Sequence, residues 1–175
     1  MPALDPQAWL PWVLVAQAIV GGFDTLFNHE LLERLPYRPE AHVEIGLHAT
    51  REAIYATLFG ALAWLAFEGA TVSIIAALVA GEIVVTARDE LVENRLRVLP
   101  QNERVVHVFL TLNLGFIAAL LVPVLLEWGA RPTALVPHAH GVASWLLSAF
   151  ALAALTWSIR DAVAWRRLRR LAALT

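Results

Sequence analysis

Two short runs pair glutamate with histidine at a spacing that suits a metal ion: Glu44-Ile-Gly-Leu-His48 and Glu103-Arg-Val-Val-His107. Residues four apart on an α-helix share a face, about 6 Å apart along the axis, so such a carboxylate and imidazole reach one ion. An acidic run and a Leu-Pro turn precede each pair. His29-Glu-Leu-Leu-Glu33 leads through Leu35-Pro36 to the first, and Asp89-Glu-Leu-Val-Glu93 leads through Leu99-Pro100 to the second. The arrangement reads as a degenerate internal repeat. Two such pairs, with one carboxylate from each acidic run, make a set of four carboxylates and two histidines. Oxygen and imidazole donors without thiolate suit iron or manganese, and also zinc.

Further ionisable residues lie deeper in apolar sequence: Asp24, Arg51, Glu52 and Glu82. A buried arginine needs anionic partners, so Arg51 is expected to be neutralised by these carboxylates, and Asp24, Arg51 and Glu82 to support the ligands from behind. Tyr55 and Thr86 fall at the same depth and can hydrogen-bond to ligands. Tyr55 is a candidate redox or proton donor, and Glu52 a second candidate catalytic group. In an alternative metal arrangement His48 and Glu52 form the face pair, completed by Asp24 or Glu82.

The elements that must position these groups are apolar helices. Hydrophobic residues make up 59% of the 175, above the usual half of a soluble domain. A bilayer core needs roughly 20 apolar residues per helix. Five stretches approach this, over about 9–28, 43–67, 70–88, 104–126 and 141–159. The second and third are separated by Glu68 and Gly69 and are predicted to form a tight hairpin. Gly129 through Pro137 breaks the fourth from the fifth. Residues 1–175 are thus expected to form one all-α integral membrane domain, spans one to four making a four-helix bundle. A soluble helical core is the competing reading, but such a core rarely needs five segments of this kind. The first nine residues hold no basic side chain, which argues against a signal peptide.

All 13 cationic side chains are arginine. With five spans, Arg34, Arg38, Arg88, Arg95, Arg97, Arg104, Arg160, Arg166, Arg167, Arg169 and Arg170 share one side, and Arg131 stands alone on the other. The positive-inside rule then puts the N-terminus outside and the basic tail, 160–175, in the cytoplasm of a multi-pass inner-membrane protein. The acids and imidazoles fall toward that cytoplasmic end. His138 and His140 lie in the outer loop, where solvent exposure is expected.

The plan of acid, Glu/His pair, acid, Glu/His pair on four helices resembles the di-iron carboxylate proteins of the ferritin-like class, whose usual pair, Glu-x-x-His, is one residue closer. Asn102-Glu103-Arg104 with His107 also resembles the Asn-Glu-Arg-x-His motif of membrane alternative oxidases, the histidine falling one position later. The resemblance covers about 80 residues, His29 to His107. It implies Glu30, Glu44, His48, Glu90, Glu103 and His107 as metal ligands, with Glu93 competing with Glu90. It further implies a di-iron oxidoreductase acting on a lipid or quinone at the cytoplasmic leaflet.

Other classes compete. His48 and His107 are candidate haem ligands, although haem needs no such carboxylate set. A zinc-dependent hydrolase uses the same donors, and a proton or cation transporter would use intramembrane carboxylates. One-sided clustering disfavours transport. In a non-catalytic assembly subunit, paired with copies of itself or with another protein, the polar network would only specify packing. The absence of cysteine excludes disulfides and iron–sulfur clusters, and the absence of lysine excludes Schiff-base cofactors. No basic patch with interleaved aromatics suggests nucleic acid.

Overall fold

The computed structural model describes residues 5–174. Residues 1–4, within the stretch used to judge a signal peptide, and the last residue of the basic tail lie outside the described residues.

The chain is an all-α bundle. Helix α1, Pro6–Phe23, runs on into a π-helical segment, Asp24–Leu32. Helix α2 spans His42–Trp64, α3 Val72–Leu96, α4 Gln101–Gly129 and α5 Val142–Ala172. Four of the helical stretches are long and apolar enough to cross a membrane: Pro6–Leu32, Gly69–Leu96, Gln101–Gly129 and Val142–Ala172. Helix α2 is of comparable length but carries Glu44, Arg51 and Glu52.

Helices outrun the apolar stretches that announce them. The third apolar stretch stops near residue 88, yet α3 continues to Leu96, and α5 runs on through most of the basic tail to Ala172. Backbone hydrogen bonding carries a helix through polar residues once its apolar part is packed.

The tight hairpin expected at Glu68–Gly69 is replaced by a clasp. Strand β1, Leu65–Glu68, pairs antiparallel with strand β2, Ala134–Pro137, in the register Leu65 to Pro137 and Glu68 to Ala134. Arg131 closes the clasp against Glu68 at 2.6 Å and also pairs with Glu127. Gly69 makes the turn at φ +58, and a Cβ there would lie 2.5 Å from Thr133 Oγ1 and 2.6 Å from Thr133 Cα. Only glycine combines that conformation with so close an approach.

The core is split. One apolar cluster fills the clasp end, built on Leu14, Leu62, Ile75, Ile117, Leu121 and Leu147. A smaller one, Leu35, Ala41, Ile45, Ala164 and Leu168, closes the opposite, arginine-rich end. The polar residues lie between the two. The four-helix expectation omits α5, which packs along α2: Trp165 lies so close to Gly46 that a Cβ there would sit 2.9 Å from the indole.

Candidate metal centre

Each element delivers its site residues by its own periodicity. On α2, Glu44 and His48 are four apart and both buried, as are Glu103 and His107 on α4 and Asp89 and Glu93 on α3. The segment after α1 behaves differently. Its π-helical hydrogen bonds run from i to i+5, as in Glu33 N–H to Asn28 O at 2.8 Å, so residues five apart fall beneath one another. Asp24 and His29 are therefore buried on one face. Asn28 locks that turn, donating to Asp24 Oδ1 at 2.7 Å and accepting from Asn102 Nδ2 at 2.6 Å.

Two groups of donors result. His29, Glu93, Glu103 and His107 offer ligand atoms within 4.8 Å of one another, and so do Glu44, His48 and Glu93. Glu93 belongs to both. The His29 and His48 rings stack at 4.4 Å with planes 7° apart. Helices α1 and α4 are joined by His107 Nε2, 3.2 Å from Asp24, and helices α2 and α3 by His48 Nε2, 3.3 Å from Asp89.

Two arginines hold the surroundings. Arg51 donates to Glu82 at 3.2 Å, to Asp89 at 3.1 Å and to Thr86 at 2.9 Å. Arg97, just past α3, donates to both oxygens of Glu103 at 2.6 and 2.7 Å and to Glu44 at 2.9 Å. Burial opposes the charge on Arg97, but hydrogen bonds to Glu103 and Glu44 outweigh it and raise its pKa.

Of the residues expected from sequence, Glu44, His48, Glu93, Glu103 and His107 come together in the two donor groups. Glu30 does not: it pairs with Arg160, because the π-helix turns His29 inward in its place. Glu90 stays at the rim with a side chain 40% exposed, 3.3 Å from His107 Nδ1, while Glu93 takes the buried face of α3. Asp24, expected behind the ligands, touches two imidazoles directly. Tyr55 stands apart, accepting a hydrogen bond from Gln17 Nε2 at 2.8 Å, and Asn113 in turn donates to Gln17 Oε1 at 2.8 Å. Glu52 also lies outside both donor groups.

The sequence reading missed His29, Asp89 and Arg97 as site residues. Asp89 was detectable, since it sits four before Glu93. Arg97 lies in an irregular turn, beyond the reach of periodicity. His138 and His140, between α4 and α5, are half-buried rather than exposed, their rings 4.7 Å apart. Burial, followed by the charge of His138, lowers the pKa of His140.

The donor set fits a metal. Glu44 Oε2 and both oxygens of Glu93 are buried without a well-formed hydrogen bond, while His29 Nε2, His48 Nε2 and His107 Nε2 face the carboxylates of Glu103, Asp89 and Asp24 at 3.3, 3.3 and 3.2 Å. Orphaned buried polar atoms are costly, and an ion would satisfy most of these at once. Ligands facing each other across an ion at bonds of about 2.1 Å lie about 4.2 Å apart, so both groups need only slight contraction. Five carboxylates, Asp24, Glu44, Asp89, Glu93 and Glu103, are buried here. Arg51 and Arg97 balance part of this charge, and the imidazoles of His29, His48 and His107 lie against the same carboxylates, so protons on the rings and divalent ions are alternative ways to balance the rest.

Beside the centre lies a cavity of about 420 Å³. His29, His48, Asp24 and Arg51 form its polar end, and Phe59, Leu114 and Phe150 are among its apolar walls.

No known protein family, curated protein or solved structure matches this chain.

Proposed function

We propose that this chain is a five-span inner-membrane protein that holds two metal ions and acts as a di-iron oxidoreductase on a lipid or quinone at the cytoplasmic leaflet. Its N-terminus is outside and its basic tail inside. The observation that carries the reading is Glu93, whose carboxylate belongs to both donor groups and has neither oxygen hydrogen-bonded. A carboxylate reaching two sets of imidazole and carboxylate donors is what two neighbouring ions require. The resemblance to ferritin-like and alternative-oxidase sites belongs to this proposal and rests on the same residues.

Helix α2 supplies the fifth span in this reading. Its Glu44 and His48 are buried, and Arg51 is paired with Glu82 and Asp89, as charges inside a membrane protein must be. The arginine-rich end that closes the bundle sets the orientation.

Iron bound at the centre would supply oxygen activation. The chain's own residues hold the ligands and admit the substrate. Arg51 fixes Glu82 and Asp89, the latter facing His48. Tyr55 and Glu52 line the cavity beside the centre, in reach of a substrate there as hydrogen donor and acceptor. Manganese or zinc would occupy the same donors.

Elemental analysis of the detergent-purified full chain tests the reading. It expects iron near two per chain, lost in Glu93→Gln. Zinc at one per chain would support a hydrolase or a structural site. A Soret band would support haem, and no stoichiometric metal would end the metal reading.

A second reading, a non-catalytic subunit whose network only specifies packing, is favoured by Arg97. Its guanidinium already spans Glu44 and Glu103. In that case iron would change neither stability nor spectrum.

A further inference from the structure

The cavity is graded from one end to the other. Charged residues gather beside the metal centre, and the wall away from it is mostly apolar, with Gln17 and Tyr55 bonded to each other there. Its mouth is also identifiable. Ile19, Phe23 and Leu26 of the α1 stretch line the cavity and are 56%, 50% and 50% exposed, so they face both the cavity and the surroundings of the bundle. Ala153 and Ala154 line it from α5, small residues facing the α1 stretch. The exposed lining residues are apolar, so access along this side is from lipid rather than from water in the membrane reading. The cavity volume falls within the range of about 300–1,000 Å³ typical of small-molecule sites.

The charges at the polar end select the head group. Asp24, Glu52 and Glu82 line the cavity. Arg51, the cation beside them, is already bonded to Glu82, Asp89 and Thr86. His29 and His48 each face a carboxylate, Glu103 at 3.3 Å and Asp89 at 3.3 Å. Arg160, over the Trp157 ring, is paired with Glu30 and Asp161, so an anionic head would meet more carboxylates than free cations. Glu52 and Trp157 also line the cavity, and a hydroxyl is a small neutral head that can both donate and accept hydrogen bonds among such side chains.

We propose that the cavity takes a neutral single-chain amphiphile with a hydroxyl head, entering from the bilayer between α1 and α5. Its head reaches the polar end beside the metal centre, and its chain lies along Phe59, Leu114 and Phe150. This deepens the proposed function by naming the substrate class, and it rests on that reading for the membrane setting and for the chemistry next to the head.

The test is photolabelling of the full chain in lipid nanodiscs with a long-chain alcohol carrying an aliphatic diazirine, against the matching carboxylic acid and alkane. The expected result is labelling of peptides covering 17–26 and 150–157 by the alcohol, at least about five-fold above the acid and the alkane, as charge repulsion and a missing head contact predict. Ile19→Trp, a substitution at an exposed position of the mouth, should lower labelling by a similar factor. Leu152→Trp, 67% exposed and outside the lining, should leave it unchanged. Equal labelling by acid or alkane, or labelling spread over the exposed face of α4, overturns the proposal. Metal content is measured on the same samples. Cavity labelling without metal would sink the oxidoreductase reading alone, and metal without cavity labelling would sink this inference alone.

Discussion

His29 of the π-helical segment and His48 of α2 lie ring on ring, with centroids 4.4 Å apart and planes within 7° of parallel. Each ring also faces a carboxylate, Glu103 and Asp89, at 3.3 Å, and neutral imidazole is the form that binds metal.

Metal retention should therefore depend on pH. Protons and metal compete for the same imidazoles and carboxylates, so affinity is greatest at neutral to alkaline pH and falls on acidification. Each imidazole that takes up a proton is lost to the metal, so affinity should fall steeply, about ten-fold or more per pH unit, once the ligands begin to protonate. Elemental analysis after desalting at stepped pH measures this. Retention that is flat down to pH 5 would contradict histidine ligation.

Glu93 should differ in kind from its neighbours. Glu93→Gln is expected to cost both ions, whereas Glu44→Gln and Glu103→Gln should each weaken chiefly one, at least about 100-fold. Titration of the metal-free protein, followed by elemental analysis, distinguishes the patterns. If all three variants lose metal alike, the two donor groups are not separate sites.

Arg97→Ala leaves Glu44 and Glu103 without their shared cation. Removing one partner of a buried ion pair costs about 3–5 kcal/mol, so the metal-free variant should melt well below the parent. Added metal should restore part of the loss, because it replaces the missing positive charge. Thermal unfolding in detergent, with and without metal, reads both effects. A loss that metal leaves untouched would favour the packing-only reading.

Gly69→Ala tests the clasp. The left-handed backbone alone disfavours a side chain by about 1–2 kcal/mol, and the new Cβ would strike Thr133. Stability should fall while metal content per folded chain stays unchanged, since the clasp lies at the opposite end from the donors. Loss of metal in this variant would mean that the two ends are coupled.

The chain has no cysteine, so single introduced thiols report topology without background. Thr133→Cys should react with a membrane-impermeant maleimide in intact cells, and Arg170→Cys only after permeabilisation. The reverse pattern would invert the proposed orientation, and labelling of both sites would mean that α5 does not cross the membrane.

How much of this the sequence reveals depends on how regular the backbone is. Glu44 with His48 and Glu103 with His107 were readable because α2 and α4 are ordinary helices at those points. The choice between Glu90 and Glu93 needed the burial of α3, and the choice between Glu30 and His29 needed the π-helix, which leaves no periodic signature in nine residues. The clasp joins segments about 70 positions apart, and such pairing is a tertiary outcome that local propensity does not encode. Arg51 was legible as a residue needing acids. Glu82 met that expectation and Asp89 took the place of the others.

The wide turns between Asp24 and Leu32 make the first helix a register device. Pro6 through Phe23 could keep their seat at the clasp end while a one-residue deletion among the π-bonded positions tightened the turns to α. His29 would then fall four positions after Asp24 and keep its face, whereas tightening to α without a deletion would seat Asn28 beneath Asp24 and swing His29 about 100° beyond it. One surplus residue, absorbed by the wide turns, is what lets Asp24 and His29 meet.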